Sequence, residues 1–190
     1  MQWARQLACD WDETTCAEAA KCGQLEVLEW AREHGCPWEE NIVDNPDWDC
    51  CALAAFGGHL DVLKWLRVQH CPWNEETCAS AAEGGHLEVL TWAREHGCQW
   101  EEEDDEDEGY TRNCCALAAV GGHLDVLKWL REHHCPWEER TCAAAALGGH
   151  LELLQWEREQ HCPWDAQTRQ LAEQHGHLEL LQWAVEHGAP

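Results

Sequence analysis

The run Thr77-Cys78-Ala79-Ser80-Ala81-Ala82-Glu83-Gly84-Gly85-His86-Leu87-Glu88-Val89-Leu90 continues as Thr91-Trp92-Ala93-Arg94-Glu95-His96-Gly97-Cys98, and it is the unit from which the chain is copied. Its anchor cysteine recurs at Cys16, Cys51, Cys78, Cys115 and Cys142, with Arg169 in the sixth place, at spacings of 35, 27, 37, 27 and 27 residues. Segments 50–74 and 114–138 differ at only four of 25 positions, so a block of two repeats has been duplicated. A short unit copied along a chain reads as a solenoid, in which each unit buries its apolar face against its neighbours.

Each unit predicts two short helices. Thr15, Thr77, Thr141 and Thr168 stand at the start of the first, where a hydroxyl can accept an orphan backbone N–H. The alanine pair that follows (Ala19/Ala20, Ala54/Ala55, Ala81/Ala82, Ala118/Ala119, Ala145/Ala146) keeps this helix thin. Glycine ends it, as at Gly57-Gly58 and Gly148-Gly149. The second helix carries Leu87, Val89-Leu90 and Trp92-Ala93, one apolar stripe at helical spacing. It stops near Gly35, Gly97 or Gly188, and proline follows at 37, 72, 136 and 163. No segment alternates with period two over a useful length, so the expected class is all-α.

The run Ala81-Ala82-Glu83-Gly84-Gly85-His86-Leu87-Glu88-Val89-Leu90 resembles the ankyrin-repeat motif A-A-x-x-G-H-x-E-V-V. Glu76-Thr77-Cys78-Ala79 stands where that family has T-P-L-H, and Gly97-Cys98-Gln99-Trp100 where it has G-A-D-V. The resemblance recurs six times and covers nearly the whole chain. It implies stacked helix-turn-helix units, here with clipped hairpin loops because 27 residues is shorter than the family's ~33. The Cys-Pro-Trp signature after the second helix resembles arrays abundant in protists and giant viruses. The resulting division is one domain over 1–190: a half repeat at 1–14, then repeats at about 15–49, 50–76, 77–113, 114–140, 141–167 and 168–190. Trp3-Ala4-Arg5 matches Trp92-Ala93-Arg94, so the chain opens inside a second helix, either as a fragment or with an open end. Arg169, Gln170, Glu173 and Gln174 make the last repeat polar, as a solenoid end requires.

Composition narrows the function. Thirty-seven acidic against 12 basic residues leave a formal charge of −25, which repels phosphate backbones and anionic lipid. Neither nucleic-acid binding nor membrane binding is expected. No apolar run approaches the ~20 residues of a membrane span, and the first residues carry no signal-peptide pattern. A cytoplasmic, or nuclear, rather than secreted location is expected.

Residues present in every unit are expected to serve packing. Tryptophan forms two series: Trp3, Trp30, Trp65, Trp92, Trp129, Trp156 and Trp183 on the second helix, and Trp11, Trp38, Trp73, Trp100, Trp137 and Trp164 in the loop after it. They read as two core ladders. The 14 cysteines offer no C-x₂₋₄-C pair, and equivalent cysteines of stacked repeats should lie ~8–10 Å apart, so buried free thiols are expected rather than metal ligands. Metal binding or thiol redox chemistry is the alternative function, with Cys50 and Cys114 outside the repeated core and best placed for it. His59, His86, His123 and His150 read as helix-opening residues. His70-Cys71, His134-Cys135 and His161-Cys162 suggest a nucleophile and base, yet adjacent helical residues point apart and no third group orients the histidine. No enzyme activity and no cofactor are expected.

The departures from the repeat are the candidate site. Two junctions are long: 41–49, which carries Trp48, and Glu101-Glu102-Glu103-Asp104-Asp105-Glu106-Asp107-Glu108, followed by Gly109 and Tyr110. They read as an aromatic and an anionic finger for a basic segment. The position after the alanine pair holds Lys21, Phe56, Glu83, Val120, Leu147 and Gln174. The resemblance places it on the concave binding face, where Phe56, Val120 and Leu147 would form a small apolar patch. The expected function is non-catalytic binding of another protein with a basic surface or peptide, by a monomer or a part of a larger assembly.

Overall fold

The structure is a computed structural model of the chain and describes residues 13–36, 49–100 and 113–190. These residues form twelve helices and no strand. In order they are α1 (Glu13–Lys21), α2 (Leu25–Glu33), α3 (Cys50–Phe56), α4 (Leu60–Val68), α5 (Glu75–Glu83), α6 (Leu87–Glu95), α7 (Cys114–Gly121), α8 (Leu124–Glu132), α9 (Glu139–Gly148), α10 (Leu151–Glu159), α11 (Ala166–Gln174) and α12 (Leu178–Glu186). The odd-numbered helices stack on one another along the array, and each packs on the even-numbered helix that follows it.

Five of the first helices start at polar caps, whereas the second helices have no side-chain cap. Asp49 Oδ1 accepts from Cys51 N at 2.8 Å and Ala52 N at 3.0 Å. Asn113 does the same for Cys115 N and Ala116 N at 2.8 and 3.2 Å. Asn74 and Asp165 accept from Glu76 N and Gln167 N. The expected threonine caps are therefore corrected: Thr77, Thr141 and Thr168 sit one turn inside their helices and are buried. Thr141 Oγ1 accepts from Glu138 N at 3.4 Å in a capping box, while the Thr77 and Thr168 hydroxyls have no partner.

The turn joining the two helices of a unit is a Schellman motif. His86 N donates to Ala81 O at 2.9 Å and Gly85 N to Ala82 O at 3.2 Å, with Gly85 at φ +75°. The next unit uses the space glycine leaves. A Cβ on Gly85 would lie 2.3 Å from His123 Nδ1, while the His123 ring Nε2–H donates to Glu83 O at 3.0 Å. His59, His150 and His177 reach back to Lys21 O, Val120 O and Leu147 O at 3.1, 2.9 and 3.0 Å. Glycine and histidine thus form an inter-repeat joint, so the Gly-Gly-His pattern serves stacking. Gly176, in the last repeat, has nothing within 4 Å of the same position.

The core is made of small first-helix residues and large second-helix ones. Leu28, Leu63, Leu66, Leu90, Leu127, Leu130 and Leu154 are fully buried against the alanine pairs and the anchor cysteines. Each such leucine contributes about 1.5–3 kcal/mol. The tryptophans do not belong to this core as expected. Every described tryptophan is only partly buried, and all but Trp30 pack against the core from outside. The thin alanine helices leave room for leucine but not for an indole, so the rings lie over the outer edge. Trp3, Trp11, Trp38 and Trp48 fall outside the described residues.

Candidate functional site

The position after the alanine pair is the last or next-to-last residue of each first helix, so its six residues form one row along the stack. Phe56 is 42% exposed. Val120 and Leu147 are half-buried and Glu83 is half-buried, while Lys21 and Gln174 are exposed. The expected three-residue apolar patch thus has one open member, because Val120 packs against the core. The carbonyls of Lys21, Glu83, Val120 and Leu147 accept a histidine ring N–H of the next unit, so at those positions the side chain is what a ligand can meet. Trp48, the run Glu101–Glu108 and Tyr110 lie outside the described residues.

On the even-numbered helices, tryptophan and cations form a continuous band. Trp73 meets Trp92 edge-on with centroids 6.0 Å apart, and Trp100–Trp129, Trp137–Trp156 and Trp164–Trp183 repeat the contact at 6.3, 5.9 and 6.1 Å. Arg67, Arg94, Arg131 and Arg158 cover Trp73, Trp100, Trp137 and Trp164 at 4.2, 3.7, 4.2 and 4.2 Å. The same guanidinium groups donate to the carbonyl of the cysteine four residues on, as Arg94 does to Cys98 O at 2.7 Å and Arg32 to Cys36 O at 2.7 Å. Lys64 and Lys128 lie over Trp92 and Trp156 at 5.9 and 5.8 Å. Open grooves separate successive outer helices. One, of about 400 Å³, is lined by Lys128, Arg131, Glu132, Trp137, Trp156 and Gln160. Each of its two tryptophan rings already carries one of the protein's own cations.

Twelve of the 13 described cysteines are buried, and Cys22 is exposed. Cys50 and Cys114 were expected outside the repeated core. They instead open α3 and α7 with 2% and 3% exposure. The cysteines pair within repeats at a spacing of 20, not seven. Cys16 and Cys36 have their sulfurs 3.3 Å apart. The Cys78 thiol lies beside that of Cys98 and the Cys142 thiol beside that of Cys162, while the Cys98 and Cys162 sulfurs donate to Asn74 O and Glu138 O at 3.1 and 3.6 Å. Cys71 meets both Cys50 and Cys51, and Cys135 meets both Cys114 and Cys115. Among the described residues, no three His, Cys, Asp or Glu side chains are arranged to hold a metal ion. His70, His134 and His161 occupy the left-handed turn after the second helix at φ +60°, +61° and +64°. They point to solvent, whereas Cys71, Cys135 and Cys162 are buried.

Two buried carboxylates were not singled out in the sequence. Glu157 is fully buried where other repeats have Ala31, Leu66, Ala93, Leu130 and Ala184. Burial pushes its acid up to about 8, and the neighbouring Cys142 thiol offsets this only weakly. Neither carboxylate oxygen has a partner in hydrogen-bonding geometry. Asp49 is 1% exposed and its Oδ2 is unpartnered. Burial raises it to about 6 against the opposing N–H groups of Ala52 and Cys51, with Glu76 adding to the rise. The polar letter in an apolar column was the available signal for Glu157.

No protein-family model and no curated protein matches the sequence. Among solved structures, the ankyrin repeat domain of human ASB11 superposes with a TM-score of 0.64 at 16% identity, covering 92% of this chain and 84% of that one. The likeness shows an ankyrin-repeat fold. No described helix is long and apolar enough to cross a membrane.

Proposed function

With an ankyrin-repeat array as the scaffold, we propose that the protein is a non-catalytic protein-binding module whose partner presents a basic surface or peptide. Ankyrin-repeat domains generally bind other proteins. The observation that supports a basic partner is where the few cations sit. Of 12 lysines and arginines, Arg32, Arg67, Arg94, Arg131 and Arg158 are bound to a cysteine carbonyl, and Lys64 and Lys128 lie on tryptophan. Those seven serve the fold, which leaves five other cations against 37 acidic residues in the chain. The row containing Phe56, Glu83, Val120 and Leu147, together with Trp48, Glu101–Glu108 and Tyr110, is the proposed contact surface. The separation of exposed His70, His134 and His161 from buried Cys71, Cys135 and Cys162 supports a non-catalytic reading. The buried thiols accord with a cytoplasmic or nuclear location.

The test is stopped-flow association of a fluorescent lysine/arginine-rich peptide, with an acidic peptide as control. Binding of the basic peptide should weaken steeply with salt as the Debye length falls from ~10 Å at 0.1 M to ~3 Å at 1 M. Replacing residues 101–108 with Ser/Gly should slow association and flatten the salt dependence. Equal binding of both peptides refutes the basic partner. An unchanged on-rate in the 101–108 variant removes that run from the site and leaves the Phe56 row, for which Phe56→Ser is the corresponding variant.

A further inference from the structure

Ten of the 14 cysteines fall into five pairs with one placement in the repeat. Cys16/Cys36, Cys51/Cys71, Cys78/Cys98, Cys115/Cys135 and Cys142/Cys162 each join the start of a first helix to the loop after its second helix. The sixth repeat loses both partners together, with Arg169 and Ala189 in their places. If cysteine were only a small apolar filler, nothing would tie one position to the other. The Cys16 and Cys36 sulfurs, 3.3 Å apart, need approach by only about 1.2 Å to reach the ~2.05 Å bond length of a disulfide. In the other four pairs the two thiols are close enough for one to perturb the other's titration, while the Cys115 and Cys142 sulfurs face Cys135 O and Cys162 O, each at 4.0 Å.

We propose that these five pairs are reversible disulfide sites, closed by thiol–disulfide exchange with a small-molecule disulfide of the glutathione type. Cys115/Cys135 illustrates the chemistry. Both residues are buried, Cys115 in the first helix and Cys135 in the loop after the second. The Cys135 sulfur lies beside Cys114, Cys115 and Arg131, and these hold its thiol below the ordinary range. The Cys135 thiolate attacks one sulfur of the small disulfide, forming a mixed disulfide and expelling one thiolate. Cys115, losing its proton to that thiolate, attacks the Cys135 sulfur and expels the second thiolate, which takes up the proton that Cys135 lost. The balance is two protein thiols and one disulfide giving one protein disulfide and two small thiols. Cys114 stays reduced against the same sulfur, and can displace Cys115 from Cys135 without net oxidation. Cys50 has the same position beside Cys71. A closed pair ties the two ends of a repeat at its base, so oxidation would stiffen the array without altering its stacking.

The test uses the intact, folded chain in native buffer with oxidised glutathione, followed by alkylation of free thiols and non-reducing peptide mapping. The expected result is five pairs at spacing 20, each having lost two hydrogens, with Cys9, Cys22, Cys50 and Cys114 outside them or exchanging only within their own repeat. Unchanged helical circular dichroism, a raised thermal midpoint and full reversal by dithiothreitol complete it. Cys115→Ala, with Cys114→Ala to remove the neighbouring thiol, should trap glutathione on Cys135. Thiols that stay reduced until denaturant is added, pairs joining different repeats, or a lowered midpoint on oxidation would each overturn the proposal; the first needs no variant to fold.

Discussion

Replacing Glu157 with leucine should make the protein markedly more stable, and by an amount that depends on pH. Leucine already occupies this column as Leu66 and Leu130, both fully buried, so the pocket's shape is suited to it. Glutamate at the same place is fully buried with only the Cys142 thiol beside its carboxyl, and its acid is raised from 4.5 to about 8. The sign follows from proton uptake. Between those values the folded state holds a proton that the unfolded chain has released, so stability falls as pH rises through this window. The span is 8 − 4.5 = 3.5 units, at about 1.4 kcal/mol each. The penalty is under about 1 kcal/mol at pH 5, about 3 at pH 7 and about 4 at pH 8. Glu157→Leu should therefore gain at least about 2 kcal/mol more at pH 7 than at pH 5. Glu157→Gln removes the titration and should flatten the profile with a smaller gain. Urea unfolding at pH 5, 7 and 8, supported by amide exchange in α10–α12, measures both. Equal gains from Glu157→Leu at pH 5 and pH 8 would refute the reasoning, because they would mean the carboxylate is solvated or paired.

Asp49→Asn places at the α3 cap the residue that Asn113 supplies at α7, where Nδ2 donates to Pro136 O at 3.3 Å. Since Asp49 is raised from 3.8 to about 6, the change should stabilise by about 2–3 kcal/mol at pH 7 and little at pH 4, again read by urea unfolding. Gly85→Ala must displace the His123 ring as well as accept φ +75°, whereas Gly176→Ala at φ +74° meets open space. Thermal melts should show the left-handed cost of about 1–2 kcal/mol at Gly176 and clearly more at Gly85; equal costs would deny the joint. Trp92→Ala should cost about 2 kcal/mol, less than the ~3–5 of a fully buried aromatic, and native tryptophan emission should be only partly quenched by acrylamide. A loss above about 4 kcal/mol would restore tryptophan to the core.

What the sequence by itself determined was everything that repeats. The 27-residue period, the alanine pair, the Gly-Gly-His turn and the leucine stripe are local, and the six second helices repeat them, each nine residues long and opening on leucine. A solenoid makes such reading possible because each unit packs only on its neighbours, so one unit's pattern contains the contacts of all. What only the tertiary structure decided was where each repeated side chain lies across the unit. Tryptophan recurs as regularly as leucine, yet Leu90 is buried and Trp92 half-buried, because periodicity does not say whether a ring fits beneath or over an alanine helix. Threonine at Thr77 has the chemistry of a cap, but Asn74 holds that place, since helix register is set by the loop before it. The cysteine pairs needed the fold as well, because Cys78 and Cys98 meet only when the second helix runs back along the first. Glu157 was visible as a departure from its column, but its energetic meaning came from burial, which turns one polar letter into the least favourable group in the array.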